Sequence, residues 1–175
     1  MILKFYELQK NQIILQQKNI YLLYGENFGL KKDIQKLIIF QKYKNQKIQI
    51  ISHAENEIYK SDENFYNSIF SGSLFYEKKI LIITNVTDKF IKYLEDILKK
   101  KPNDLLIILF AENLEKKSKI RNLSEKDKNI FCIPCYPDTD RDLQVIAKKE
   151  LSFIKVSLSQ ESINLIVDKA NGDRN

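Results

Sequence analysis

Short apolar runs recur along the chain: IYLLY at 20–24, KIQII at 47–51, KILIIT at 79–84, DLLIILF at 104–110 and NIFCI at 129–133. Each has the length and branching of a buried strand. Helical spacing fills the gaps between them. Leu30, Ile34, Leu37, Ile38 and Tyr43 recur at steps of three and four, and so do Phe90, Ile91, Leu94, Ile97 and Leu98, behind Thr87 or Asp88 as a candidate N-cap. Nearly continuous apolar strands that alternate with helices predict a parallel sheet covered on both faces. The fold class is therefore α/β, with a five-stranded parallel sheet.

The alternation stops at CYPDTDRD, a polar break holding Pro137 and Asp138. Beyond it the pattern is helical only. Leu143, Ile146, Ala147 and Leu151 share one face over roughly 139–153, and Ser159 opens a second helix over roughly 159–170 with Ile163, Ile166 and Val167 on its apolar side. The expected division is an α/β domain over 1–137 and, over 138–175, the start of a small helical domain cut off at NGDRN. The polar stretch ISHAENEIYKSDEN, with Glu55 and Glu57, reads as a solvated loop.

Composition narrows the function classes only slightly. The chain has 175 residues, 43% of them hydrophobic, enough for one sizeable core. Its net charge is +6, which is compatible with an acidic partner such as DNA, but only Arg121, Arg141 and Arg174 among 29 basic residues offer the forked guanidinium that suits phosphate. The opening MILKFYELQKNQIILQQ is broken by charges and lacks the continuous apolar region of a signal peptide. No run reaches membrane-spanning length, so the expectation is a cytoplasmic protein with reduced thiols.

YLLYGENFGLKKD has the strand, glycine and lysine-bearing helix start from which phosphate loops are built. A working loop needs a wider glycine pair followed by Lys and a hydroxyl, so that amides wrap the phosphates and the hydroxyl holds magnesium. Here Gly25 and Gly29 are too close, Leu30 separates Gly29 from Lys31, and no hydroxyl follows. The apolar strand ILII ends on Thr84 and Asn85 where such ATPases place acidic residues. Gly25, Gly29 and Lys31 thus mark a degenerate position at which no nucleotide is expected.

Two further constellations carry alternative readings. Cys132 and Cys135 have the spacing of a redox pair, although Cys132 lies in an apolar run and suits a core thiol. His53 has no companions for a triad or a four-ligand metal site. An active P-loop ATPase and a thiol oxidoreductase remain the alternatives; neither metal nor cofactor is expected.

NFYNSIFSGSLFYEKK at 64–79 is different in kind. A helix patterned by Phe65, Ile69 and Phe70 reaches Ser71 and Gly72, and Leu74, Phe75 and Tyr76 follow before a charged break. Three large apolar residues in a row beside a glycine cannot all face one core. One of them can plug the sheet, or the group can be an exposed hook that fills a partner's pocket.

With these landmarks in order, the chain resembles the delta subunit of the bacterial DNA polymerase III clamp loader. The resemblance runs through YLLYGEN with Leu30 after it, SGSLFYEKKILII, DLLIILFAENLEKKSKIRN, the CYP at 135–137, DRDLQVIAKKEL and the final NGDR. It implies a non-catalytic member of the AAA+ class, in which this α/β domain is followed by a small helical domain and a C-terminal collar. It also implies binding to the sliding clamp, with Leu74 and Phe75 entering a hydrophobic pocket beside Ser73 and Phe70, so that the ring opens for loading onto primed DNA. The other implied partners are the gamma/tau and delta-prime subunits, met through the collar. One departure is Phe70, which stands where clamp-binding peptides often carry Gln.

Overall fold

The computed structural model describes residues 1–44, 46–70, 78–100, 105–170, 172 and 174. Five strands form one parallel sheet: β1 (Ile20–Tyr24), β2 (Ile48–Ala54), β3 (Lys78–Thr84), β4 (Leu105–Ala111) and β5 (Ile130–Pro134), in the order β2-β3-β4-β1-β5. β1 lies inside, with Leu22 opposite Leu109 on one side and Cys132 on the other. All residues of β1 and β4 are buried, which explains their unbroken apolar sequences.

Alternation along each strand sends side chains to two cores. On one face Leu22, Leu81, Ile83, Ile107 and Leu109 meet Phe65 and Ile69 of α4 (Asp62–Phe70), Leu94 and Ile97 of α5 (Ile91–Lys100) and Ile120 of α6 (Lys119–Lys126). On the other, Tyr21, Leu23, Ile80, Ile82 and Ile108 meet Leu30, Ile34 and Ile38 of α2 (Phe28–Tyr43), while Leu8 of α1 (Phe5–Lys10) and Leu15 close the margin. Helices cover both faces, as the apolar runs predict.

The two edges of the sheet differ. Beside β5, Leu3 N–H donates to Cys132 O at 2.8 Å and Cys132 N–H to Met1 O at 2.9 Å, so the first residues cover that edge. The β2 edge is only half-buried. Its polar alternation disguises it: β2 continues through Ser52 and His53 to Ala54, and a one-turn helix α3 (Glu55–Ile58) follows at once. The loop expected over ISHAENEIYKSDEN is thus corrected to strand end, helix and the first turn of α4. Glu55 is buried there and accepts from Thr87 N–H, from Thr87 Oγ1 at 2.8 Å and from the Tyr59 hydroxyl. Glu57 instead accepts from Ala54 N–H at 2.9 Å.

After β5 come α7 (Asp140–Phe153) and α8 (Gln160–Ala170), packed on each other. Thr139 caps α7, its hydroxyl accepting from Asp142 N–H at 3.3 Å while Asp142 accepts from Thr139 N–H at 3.0 Å. Ser159 Oγ accepts from Ser162 N–H at 3.2 Å at the start of α8.

Candidate functional site

Neighbouring strands β1 and β4 send their following helices, α2 and α6, to opposite faces of the sheet. In open parallel sheets that divergence leaves a crevice at the carboxyl ends of the strands, where ligands bind. A cleft of about 420 Å³ is found there, lined by Gly25, Glu26, Phe28, Lys31, Thr84, Asn85, Phe110, Ala111, Glu112 and Asn113.

Part of the backbone of this turn is engaged within the protein itself. Gly25 has φ +127°, and a Cβ on it would lie 2.2 Å from the Cys135 carbonyl oxygen, so only glycine fits. Gly25 N–H donates to Glu112 O at 3.1 Å and Asn27 N–H to Cys135 O at 3.0 Å. Asn27 caps α2, its Oδ1 accepting from Leu30 N–H at 2.9 Å, and Lys31 N–H bonds Asn27 O at 3.1 Å. Amides that a phosphate loop would aim at its ligand are engaged at four positions.

Lys31 completes the closure. It is only 5% exposed, and its ammonium donates to Gly25 O at 2.8 Å and Ala111 O at 3.0 Å. Burial lowers its pKa. The lysine therefore staples the turn to the end of β4 instead of reaching outward. Gly29 is buried in the first turn of α2 and lines no part of the cleft. Glu26 and Glu112 line the mouth, two carboxylates where a nucleotide would bring negative charge.

A second network backs the cap of α2 and was not legible in the sequence. Asn27 Nδ2 donates to Asp138 Oδ2 at 2.7 Å and to Tyr136 O at 3.1 Å. Asp138 also receives Arg174, from beyond α8, whose Nε lies 2.7 Å from Oδ2 and whose Nη2 meets Oδ1. Arg174 Nη1 reaches Asp33 at 3.2 Å, one helical turn into α2. Both side chains of the Arg174–Asp138 pair are nearly inaccessible, at 5% and 6%.

Cys132 and Cys135 are free and buried, and burial pushes both thiols up to about 12. A thiol held protonated is a poor nucleophile, so the pair behaves as core residues. His53 sits edge-on to Phe65 with ring centroids 6.2 Å apart. Among the described residues no group of three His, Cys, Asp or Glu could hold a metal, and no helix is long and apolar enough to cross a membrane.

Ser73, Leu74 and Phe75 lie outside the described residues. The helix that leads to them is described. Phe70, its last residue, is 44% exposed and stacks on Tyr66 at 6.3 Å with the planes 9° apart. The Lys100 ammonium lies 4.9 Å from each ring centroid, and the Tyr66 hydroxyl donates to Asp96 at 2.8 Å. On the other flank Lys79 donates to Ser68 O at 2.9 Å.

Fold and crevice together define a parallel α/β domain with a strand-turn-helix at its switch point, closed by the chain's own groups. The family model for the DNA polymerase III delta subunit matches residues 21–134. The chain belongs to that family. Among solved structures it is similar to the Bacillus subtilis DNA clamp loader delta protein (YqeN), with a TM-score of 0.56 and 14% identity over 93% of this chain and 51% of that one. It spans about half the length of that protein. No curated protein matches it by sequence.

Proposed function

We propose that this chain is the clamp-binding part of a clamp-loader delta subunit: it docks on the sliding clamp through Leu74 and Phe75 and opens the ring without hydrolysing ATP. Family membership supports the role in DNA replication. The observation that carries the non-catalytic part is Lys31, which bonds Gly25 O and Ala111 O while the amides of Gly25, Asn27, Leu30 and Lys31 are engaged within the protein. A phosphate arriving at this turn would find the lysine turned to two backbone carbonyls, and two glutamates lining the cleft.

The docking part is supported by sequence and by placement. In sequence, Leu74 and Phe75 fall between α4 and β3, after the exposed Phe70. Two such side chains buried in a pocket contribute about 3–6 kcal/mol of apolar transfer, before the cost of association. The region from 138 onward belongs, on this reading, to a helical second domain. Further parts of the subunit would meet gamma/tau and delta-prime, with primed DNA as the substrate of the assembly.

The test is binding to the cognate sliding clamp by surface plasmon resonance. Leu74→Ala with Phe75→Ala is expected to weaken binding at least about 100-fold while circular dichroism stays unchanged. Unchanged affinity in a folded double variant would overturn the assignment.

A further inference from the structure

A cavity of about 290 Å³ lies at the amino ends of β1 and β3, at the end of the parallel sheet opposite the crevice. Asn19 precedes β1, Lys78 opens β3, and Gln41, Lys42 and Tyr43 belong to the last turn of α2; with Gln16 from the short 3-10 helix Gln12–Gln17 they form the lining. The lining is polar. Two ammonium groups, three side-chain amides and a phenol stand together, with no carboxylate among the described residues.

Lys42 is the central member. Its ammonium donates to Asn19 Oδ1 at 2.8 Å and to Gln16 O at 3.2 Å, both uncharged acceptors. An ammonium carries three N–H groups, so one has no acceptor among the described residues. Burial lowers the lysine to about 8. Burial lowers Lys18 and Lys31 too, but there Asp127 and Glu112 oppose it; at Lys42 no charge among the described residues does. A desolvated charge without a counter-charge is costly, and an anion beside it offsets that cost. Asn19 adds a donor, since with its Oδ1 on Lys42 its Nδ2 has no partner among the described residues.

We propose that this cavity binds a phosphate group, with Lys42 as the central donor, Asn19 Nδ2 beside it and Lys78 as a second positive charge. Several N–H donors around a site without carboxylates suit an anion with many acceptor oxygens, and lysine meets phosphate as a point charge. The site is separate from the degenerate crevice and does not depend on docking through Leu74 and Phe75. Free phosphate and a nucleic-acid backbone carry the same chemistry.

The experiment is an amide NMR titration of the isotope-labelled chain with inorganic phosphate and, separately, with a primed DNA duplex. Phosphate is expected to shift residues 16–19 and 41–43 saturably, and Lys42→Gln to weaken that response at least about tenfold. If Lys42→Gln does not fold, Asn19→Asp, at an exposed position, sets a negative charge against the ligand and is expected to give the same loss. Sulfate keeps its charge between pH 7 and 9, so its affinity should fall about tenfold over that range as the Lys42 ammonium is lost. The other titratable groups in the lining are Tyr43 on the same helix and Lys78 on β3; the 3-10 helix brings none. Lys148→Gln with Lys149→Gln, both exposed on α7, is the control for general attraction to a chain of net charge +6. An equal loss in that control, a pH-independent affinity for sulfate, or no saturable response to phosphate would overturn the site. Duplex that shifts the same amides and is displaced by phosphate makes a backbone the source of the group; a response to inorganic phosphate alone makes it free phosphate.

Discussion

The Arg174 guanidinium holds the Asp138 carboxylate with two nitrogens, Nε at 2.7 Å and Nη2, across 36 positions of sequence. Through Asp138 it supports Asn27, and through Asp33 it reaches α2 directly, so the chain beyond α8 is bound to the start of the helix that follows β1. A buried pair of this kind adds little net stability over an apolar replacement, but breaking it by removing one partner is costly. It ties the chain beyond the α7–α8 pair to the start of α2.

Asp138→Ala is expected to destabilise the chain by about 3–5 kcal/mol, because it leaves a buried guanidinium with only the half-exposed Asp33 as carboxylate partner. Urea unfolding measures the loss. Hydrogen exchange places it: amides of α7 and α8 should lose protection before those of β1 and β4. Equal loss across all elements would mean that the pair does not act as a local tie.

Gly25→Ala tests the turn from the other direction. A Cβ would meet the Cys135 carbonyl oxygen at 2.2 Å, a backbone atom that cannot rotate away, at a φ of +127° that L-residues avoid. The expected cost is about 3 kcal/mol or more, read as a lower urea midpoint. A variant with an unchanged midpoint would show that β5 can give way at Cys135.

These residues also show where the sequence was readable and where it was not. The five apolar runs locate the strands to within a residue or two, except at β2. That strand lies at an edge, alternates with Ser52 and His53, and so looks like a loop beyond Ile51. Asp88, offered with Thr87 as a cap for the following helix, instead accepts from Ser118 Oγ and from Ile120 N–H at the start of α6, while Thr87 Oγ1 accepts from Lys89 N–H. The glycine and lysine of the crevice were visible as a broken pattern. What replaces the ligand was not, since Lys31 to Ala111 O and Arg174 to Asp138 are long-range contacts that no local spacing encodes.

The thiols give a prediction with a sign. Both are pushed up to about 12 by burial, so the folded chain keeps its protons above pH 9 while the unfolded chain releases them. Stability from this source is complete below about pH 9 and falls as pH rises, by up to about 1.4 kcal/mol per pH unit for each thiol. Lys42, lowered to about 8 by burial, acts in the opposite sense. Replacing both cysteines by serine should therefore flatten the decline between pH 9 and 10 relative to wild type. A chromogenic aromatic disulfide at pH 8 should label neither thiol until urea is added; prompt labelling of the native chain would revive the oxidoreductase reading.

The last prediction concerns Lys31. In a nucleotide loop the lysine at the start of the helix meets the terminal phosphates, and its loss removes binding while the fold survives. Here the ammonium bonds Gly25 O and Ala111 O and is buried. Lys31→Met takes the donor from two carbonyls at the junction of β1 and β4, at a cost of about 1–3 kcal/mol for each one left unsatisfied, partly offset by removing a buried charge. The expected outcome is a variant about 2 kcal/mol less stable in urea, with ATP and magnesium leaving the melting temperature of both wild type and variant unchanged. A wild-type chain stabilised by magnesium and ATP, together with a Lys31→Met variant that folds equally well and loses that response, would return the lysine to phosphate chemistry and the chain to the ATPases.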